Sequence, residues 1–173
     1  MNTKLRLALY AQVIFFALWA AWCMRNFNNA PAIWLSTEPV DPRDLISGKY
    51  VQLRYQANNL EKLNCPAGGN TLYVRLDPAA EDTPTAKGPV RLHEAKACAT
   101  APEGEGIWVK AQPSRYTRGR VTYGIEKFYL NENDPLLDAR SGTLAVRAAI
   151  GRDRRLRALE LARKTDARGN ITP

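Results

Sequence analysis

The sequence predicts an exported all-β domain, either a small barrel or a strongly curved antiparallel sheet, preceded by one N-terminal transmembrane helix. The helix is indicated by the apolar run Leu7–Met24, which is close to the shortest length that crosses a bilayer. The domain is indicated by several later segments in which apolar and polar residues alternate with the two-residue period of strands. Almost no helical periodicity follows the apolar run. About 140 residues remain after it, enough for one core.

The flanks of the apolar run predict its orientation. Lys4 and Arg6 precede the run and Arg25 follows it, so more positive charge lies before it than just after it. The residues before a span usually stay in the cytoplasm when they carry that excess. Trp19 and Trp22 lie near the other end, where indole rings favour the membrane interface. We therefore expect residues 1–6 to be cytoplasmic and residues 7–24 to be an uncleaved signal anchor.

A cleaved signal peptide is the alternative to an anchor. Ala30, Pro31 and Ala32 form a small-x-small pattern, but it lies far from an apolar run that is long for a signal peptide. A lipoprotein site at Cys23 is disfavoured because Trp22 would crowd it. Residues 25–38 are predicted to be a polar, proline-bearing spacer, in which Trp34 and Leu35 begin the first strand.

The stretch Asp41–Tyr55 organises the rest of the domain. Asp41 and Pro42 suit the first two positions of a type I turn, and Gly48 is free to adopt a positive φ just before a strand. The following residues alternate with period two. We expect one face of this strand to enter the core and to consist of Val51, Leu53 and Tyr55, with Tyr50, Gln52 and Arg54 on the other.

The same stretch resembles the GDYxxLxY-motif family, a bacterial family of small membrane-anchored proteins. The similarity is carried by Asp41, Pro42, Arg43, Asp44, Leu45, Gly48, Tyr50, Leu53 and Tyr55. Lys49 reverses the charge of the aspartate that the family usually has there. A second, weaker similarity covers Tyr123–Glu132, with Gly124, Glu126 and Glu132 at matching positions. The candidate binding residues are Asp41, Pro42, Arg43, Asp44, Gly48, Tyr50, Leu53, Tyr55, Glu126 and Glu132.

The resemblance implies a location and a kind of partner, but no particular activity. Members are often encoded beside a multi-pass membrane protein, which suggests that the two proteins bind each other. We expect a single-pass protein of the bacterial cytoplasmic (inner) membrane with a periplasmic domain, acting as a binding or accessory protein rather than an enzyme. The alternatives are an envelope enzyme with a carboxylate cleft at Asp41, Asp44 and Glu126, and a small-ligand binder.

The β-rich extracytoplasmic domain is predicted to cover residues 39–163. Its further elements are predicted from local sequence patterns and are given in chain order. Short-range signals predict a helical turn in Gln56–Leu63, a strand over Thr71–Leu76 and a short strand over Val90–Leu92. Proline, alanine and charge predict an exposed loop over Asp77–Gly88 and a mobile connection over Glu94–Gly106.

The C-terminal part is predicted to contain three or four strands. Ile107–Ala111, Gly119–Leu130 and Thr143–Ile150 show strand patterns. Arg152–Arg163 suits a helix by propensity or a hairpin partner for the strand before it, and the family resemblance implies the hairpin. Residues 164–173 are predicted to be a flexible tail.

The titratable and sulfur-bearing residues support few chemistries. Cys65 and Cys98 lie in predicted loops on the exported side, where a disulfide is expected because the surroundings oxidise thiols; the alternative is two cysteines that never meet. His93 is the only histidine, and a zinc site usually needs more imidazoles or paired cysteines. We therefore expect a loop histidine, no metal site and no cofactor.

The candidate site residues have two interpretations each. Glu126 shares a strand face with Phe128, and burial would raise the pKa of its carboxyl unless a cation such as Arg43 or Arg54 pairs with it. A structural ion pair is the simpler interpretation, and ligand binding or acid–base chemistry the other. Tyr50 and Tyr55 either line a partner site or pack with their hydroxyls at the rim.

The distribution of charge argues against nucleic-acid binding by the domain. The chain has 25 Lys and Arg against 17 Asp and Glu. Residues 25–138 are balanced, whereas residues 140–168 hold 9 basic and 3 acidic side chains. A nucleic-acid footprint would have to lie wholly on that last segment. A basic element near anionic lipid, or a solvated face, uses these charges better.

Overall fold

The structure is a computed structural model that describes residues 3–28, 30–39, 50–66, 69–114, 117–130, 134, 136 and 142–165. The chain forms two compact units, residues 1–31 and residues 32–173. The first contains one helix, and the second contains the strands. Each unit is described by itself.

The N-terminal unit is the helix α1, Thr3–Asn28. Its segment Thr3–Arg25 is long and apolar enough to cross a membrane, as both an anchor and a signal sequence would be. Every side chain over residues 3–25 is exposed apart from the half-exposed Cys23. The helix is longer than the predicted residues 7–24 because its hydrogen-bonded turns continue through the polar residues on both flanks.

The second unit is mostly β, which confirms the predicted fold class. A seven-stranded sheet has the order β6-β5-β3-β4-β1-β8-β9, and β2 and β7 form a separate pair. The strands are β1 Ala32–Ser36, β2 Tyr50–Gln52, β3 Leu72–Thr85, β4 Gly88–Ala99, β5 Ile107–Pro113, β6 Val121–Thr122, β7 Lys127–Tyr129, β8 Leu144–Ile150 and β9 Leu156–Arg163.

The large sheet curves but does not close into a barrel. The amide of Ala86, in the turn between β3 and β4, donates to Arg163 O over 2.9 Å, and the amide of Thr165 donates to Pro84 O over 3.0 Å. These bonds join the end of β9 to a hairpin whose nearer strand, β4, is three places away in the sheet. Strands so far apart meet only if the sheet bends, so the fold matches the curved-sheet alternative, except that β1 and β4 are parallel and the sheet is mixed rather than antiparallel.

The strand β1 lies in the middle of the sheet, within the stretch predicted as a spacer. It pairs in parallel with β4 and antiparallel with β8. Ile33 and Leu35 are 1 % and 0 % exposed. Just beyond the strand, the Thr37 hydroxyl donates to Leu144 O over 2.8 Å. Proline and polar neighbours suggested a spacer, but the alternate residues Ile33 and Leu35 belong to the core.

The hairpin of β3 and β4 corrects two predicted loops. Asp77–Gly88 is largely strand rather than exposed loop, and Glu94–Gly106 is strand as far as Ala99. The outer part of the ribbon is exposed, so its sequence lacks an apolar alternation. Pro84 lies directly opposite Pro89, and two residues without N–H groups fit a pair that exchanges no hydrogen bonds.

Gly119–Leu130 is not one long strand, and this prediction is also wrong. β6 pairs with β5 in the large sheet, whereas β7 pairs with β2 in the small one. The chain bends between them at Gly124, whose φ is 81°. Sequence alternation continues across the bend, which is why the pattern resembled a single strand.

The C-terminal hairpin that the family resemblance implied is confirmed. β9 pairs with β8 over its whole length, from Leu156 opposite Ile150 to Arg163 opposite Leu144. Lys164 also pairs with Thr85 of β3, so this first residue of the predicted tail belongs to the folded domain. Residues 166–173 lie outside the described residues.

The disulfide between Cys65 and Cys98 is confirmed. Their Cα atoms are 5.3 Å apart and the two residues are separated by 33 positions. The bridge fastens the segment after the 3-10 turn Gln56–Asn58 to β4. Both cysteines are partly buried against the core.

Candidate functional site

The ten candidate binding residues divide into three groups. Asp41, Pro42, Arg43, Asp44, Gly48 and Glu132 lie outside the described residues. The backbone of Tyr50 begins β2, opposite Tyr129 of β7. The remaining three, Leu53, Tyr55 and Glu126, lie together and are the basis of the candidate site; Leu53 and Tyr55 are buried and Glu126 is partly exposed.

The motif strand, by which we mean residues 50–55, packs into the core as its alternation predicted, although only Tyr50–Gln52 form β2. Val51, Leu53 and Tyr55 are all buried, whereas Arg54 is exposed. The amide of Leu53 donates to Glu126 O over 2.7 Å. The first signature of the family is therefore attached to the second through the backbone.

Tyr55 crosses from the motif strand to the bend between β6 and β7. Its ring is 0 % exposed, and its hydroxyl donates to Ile125 O over 2.6 Å. Its amide donates to Asn58 Oδ1 over 2.6 Å. A buried phenol needs such an acceptor, because an unmade hydrogen bond costs free energy in the interior.

Asn58 is a member of this site that sequence reasoning missed. It lies in the 3-10 turn after the motif, and its Nδ2 atom donates to Val121 O over 2.6 Å. The same side chain therefore bonds the motif strand and β6. An asparagine three residues after the final motif tyrosine was the available signal, since asparagine often bonds nearby backbone in turns.

Tyr123 makes the reciprocal connection. It is 5 % exposed, and its hydroxyl donates to Ala57 O in the 3-10 turn over 2.6 Å. Each segment thus sends one tyrosine hydroxyl to a backbone carbonyl of the other. We call Leu53, Tyr55, Asn58, Tyr123 and Glu126 the motif network.

The Glu126 carboxylate holds the bend of the motif network. One oxygen accepts from the Tyr123 amide and, over 3.4 Å, from Asn58 Nδ2. The other accepts from the Gly124 amide over 2.9 Å. A carboxylate bonded to backbone N–H groups in this way makes charge-assisted hydrogen bonds, which are stronger than neutral ones.

The position of Glu126 also tests the predicted ion pair. Arg54 is exposed and makes no ion pair with Glu126 in the part of the chain that the structure describes, so an Arg54–Glu126 pair is excluded. Arg43 lies outside the described residues, and its pairing stays a prediction. Backbone amides and an asparagine surround the carboxylate where a cation was expected.

Burial changes the acidity of the two tyrosines. Desolvation raises the pKa of both Tyr55 and Tyr123, and the nearby Glu126 carboxylate raises it further. Both phenols therefore stay protonated at neutral pH and act as hydrogen-bond donors. The motif network can brace two segments of chain, and its two phenols are not ionised nucleophiles at neutral pH.

His93 lies on β4 rather than in a loop, opposite Pro78 of β3 and beside Leu35 of β1. It is half-buried, and desolvation lowers the pKa of its imidazole. Among the described residues, no three His, Cys, Asp or Glu side chains are grouped so as to hold a metal ion.

An open cleft of about 360 Å³ lies on the surface beside the motif network. It is bordered by β5, the bend after β6 and the turn between β8 and β9. Tyr123 and Gly124 contribute to its wall. Its other lining residues are Lys110, Gln112, Thr122, Asp153, Arg155, Leu156 and Arg157.

Comparison with known proteins gave one positive result. The family described as GDYXXLXY protein matches residues 12–154, which covers most of α1 and the β domain as far as the turn before β9. Searches of curated proteins and of solved structures found no match. The matched range includes both parts of the motif network.

Proposed function

The chain belongs to the GDYXXLXY protein family, and we propose that it is a membrane-anchored extracytoplasmic accessory protein that binds a multi-pass membrane protein. In this proposal α1 spans the cytoplasmic membrane with its N-terminus inside. The β domain then lies in the periplasm. The contact with the partner is made within the bilayer by α1.

The observation that carries the proposal is the combination of α1 with a disulfide-bonded domain. An apolar helix whose side chains are exposed over residues 3–25 needs lipid or another apolar helix around it. Disulfides persist in oxidising compartments and are rare in the cytosol. The bridge between Cys65 and Cys98 therefore supports an exported domain.

The position of β1 supports an uncleaved anchor. Only residues 29–31 separate the end of α1 from β1. Cleavage after Ala32 would remove a residue that pairs with Ala149 and would place a charged terminus beside the buried Ile33. Burying such a charge without a partner is costly.

One face of α1 is suited to a partner helix. Phe15, Trp19 and Trp22 follow each other at spacings of four and three residues, so they share a face. The ring centroids are 6.0 Å apart for Phe15 and Trp19 and 5.9 Å apart for Trp19 and Trp22. A continuous aromatic row gives a neighbouring helix a large surface to pack against.

The hydrogen bonding of the motif network favours a structural role over catalysis. Both oxygens of Glu126 accept hydrogen bonds from the protein, and the hydroxyls of Tyr55 and Tyr123 donate to carbonyls. Groups already engaged in this way make poor acid–base catalysts. The network supports a rigid domain that an accessory protein can present.

Thiol labelling tests the orientation. In a Cys23→Ser background, Ala80→Cys introduces a thiol at an exposed position of β3, and Lys4→Cys introduces one before the span. An impermeant maleimide should label the first in intact spheroplasts and the second only after permeabilisation. The reverse pattern would contradict an exported domain.

Co-purification tests the accessory role. A tagged full chain extracted in mild detergent should retain one multi-pass membrane protein in stoichiometric amount. Replacing residues 7–24 by a polyleucine segment of equal length should keep the chain in the membrane and lose that protein. Absence of a stoichiometric partner contradicts the proposed function. Its retention by the polyleucine chain would contradict a contact through α1.

A further inference from the structure

The surface cleft beside the β8–β9 turn has an excess of positive charge. Lys110 of β5 and Arg155 and Arg157 of the last hairpin line it. Asp153 is the one carboxylate among its described lining residues. Gln112 and Thr122 add neutral polar groups, so the wall offers mostly hydrogen-bond donors.

The charge continues along the turn itself. Residues 151–157 contain four arginines and one aspartate. All four arginines are exposed. The contact between Arg155 Nε and Asp153 Oδ2 is 3.6 Å long and solvent-exposed, so it neutralises little of this charge.

Two cations away from the turn, Arg147 of β8 and Lys87 between β3 and β4, share one carboxylate partner. Glu160 of β9 accepts from Lys87 Nζ over 2.7 Å and from Arg147 over 3.2 Å. These two interactions lower the pKa of the Glu160 carboxyl, with the Lys87 hydrogen bond the larger cause. The positive excess is thus concentrated at the turn end of the hairpin.

The turn is fastened to the sheet, which gives the cleft a fixed shape. The Lys110 amide donates to Arg154 O over 2.8 Å. Within the turn, the amides of Gly151 and Arg154 bond to Arg155 O and Gly151 O over 2.8 Å and 2.9 Å. A ligand would therefore meet cations whose backbone is already in place, which reduces the entropy lost on binding.

We propose that this cleft binds the phosphate group of an anionic phospholipid. Arginine presents a planar fork of donors that matches phosphate oxygens, and lysine adds a point charge. The choice of a lipid headgroup over free phosphate rests on the proposed function, since an anchored domain stays close to a lipid surface.

Lipid binding by the purified full chain tests this assignment. In dodecyl maltoside, bound short-chain phosphatidylglycerol and phosphatidylcholine are counted by native mass spectrometry during titration. We expect phosphatidylglycerol to bind at least tenfold more tightly. The triple variant K110Q/R155Q/R157Q should lose about fivefold in affinity per cation, roughly a hundredfold in all.

A matched variant distinguishes the effect of the cleft cations from the effect of lowering the net charge of the protein. K62Q/K96Q/R118Q removes three exposed cations outside the cleft and should bind phosphatidylglycerol as the wild type does. The pair R155K/R157K keeps the charge and loses the arginine forks, so it should bind more weakly than the wild type but more tightly than the triple cleft variant. Thermal melts of all three confirm that they are folded.

Three results would overturn the assignment. They are equal binding of the two lipids, equal losses in the cleft and control triples, and displacement of the lipid by an equal concentration of inorganic phosphate. The last result would indicate a site for free phosphate. None depends on finding a membrane partner, so failure here and failure of the accessory role are distinguishable.

Discussion

At the scale of single residues, Glu126 shows how a charged side chain can fix the backbone conformation of its neighbours without taking part in a reaction. Its carboxylate accepts from the amides of Tyr123 and Gly124 and fixes the bend between β6 and β7. Its own carbonyl accepts from Leu53. One residue thus stabilises the bend and fastens the motif strand to it.

We expect Glu126→Gln to lower the free energy of unfolding by about 1–3 kcal/mol. The glutamine amide group would face a backbone N–H that now donates to a carboxylate oxygen, leaving one donor without an acceptor. Chemical denaturation measures the difference. Glu105→Gln, at an exposed position, is the control and should change little. An unchanged midpoint for Glu126→Gln would contradict the role assigned to the carboxylate.

The raised pKa values of Tyr55 and Tyr123 predict a loss of stability in alkali. Their ordinary pKa is 10.0, so this stability is complete below pH 10 and is lost as the pH rises above it, because only the unfolded chain ionises. The slope should be about 1.4 kcal/mol per pH unit for each tyrosine.

Denaturant titrations between pH 9 and pH 11 measure this slope. Tyr55→Phe and Tyr123→Phe should each reduce it, whatever their effect at neutral pH. Tyr129→Phe is the matched control because its ring is 70 % exposed. A slope that falls equally in all three variants would refute the buried-phenol explanation.

The sequence was sufficient to predict which side chains of the motif strand enter the core, but not which residues they contact there. Val51, Leu53 and Tyr55 alternate with polar neighbours, and burial follows that alternation directly. The contact of Glu126 with backbone amides depends on a bend about 70 residues later in the chain than Tyr55. No local pattern encodes the distance between two such segments, so a cation was expected in their place.

At the scale of elements, alternation predicted strands only where one face is covered. β8 was predicted because Leu144, Val146 and Ala148 enter the core. The outer half of the β3–β4 hairpin is largely exposed, so proline and charge there resembled a loop. β9 was ambiguous by propensity, and the family resemblance decided it.

Two glycines have nearly equal φ angles but different surroundings. Replacing each by alanine therefore distinguishes the cost of backbone strain from the cost of crowding. Gly88 has φ 106° and open space where an alanine methyl group would lie, whereas at Gly142, with φ 103°, that group would lie 2.8 Å from Pro39 N. Gly88→Ala should cost about 1–2 kcal/mol from the backbone alone. Gly142→Ala should cost at least about 1 kcal/mol more.

Thermal or chemical denaturation of these two alanine variants measures the difference. Gly88 lies in the hairpin and Gly142 just before β8. Equal losses would show that Pro39 moves aside freely. A smaller loss for Gly142→Ala would contradict the packing described between these segments.

The disulfide is predicted to stabilise the domain by closing a loop of 33 residues. The double variant C65S/C98S should lose about 3–4 kcal/mol, mainly because its unfolded chain is less constrained. Denaturation with and without reductant measures this. Reductant should destabilise the wild type to a similar extent and leave the double variant unchanged. An effect of reductant on the double variant would assign the loss to something other than the bridge.

At the scale of the whole molecule, the chain combines an apolar helix with a domain whose first strand is internal to the sheet. Local sequence patterns predicted both units, because an apolar run indicates the helix and an alternation of apolar and polar residues indicates the strands. The order of the strands is not local. β1 pairs with strands that begin 56 and 112 residues after it, at Gly88 and Leu144.

Retention of α1 predicts the mass of the mature protein. The protein in membrane extracts should retain residues 7–24, so its N-terminal sequence should precede residue 7. Intact mass spectrometry and N-terminal sequencing measure this together. A chain beginning near Ile33 would contradict the anchor and would also lack one end of β1.

In the proposed topology, the order of the strands in the sheet has a consequence for export. If the chain is threaded outward from its N-terminal end, β1 is the first strand to emerge, yet its neighbour β8 and the edge strand β9 emerge last. Ile33 and Leu35 then stay uncovered during most of the passage. Folding can finish only when nearly all of the polypeptide has been delivered, so a stalled or truncated product would display the middle of its sheet to chaperones and proteases.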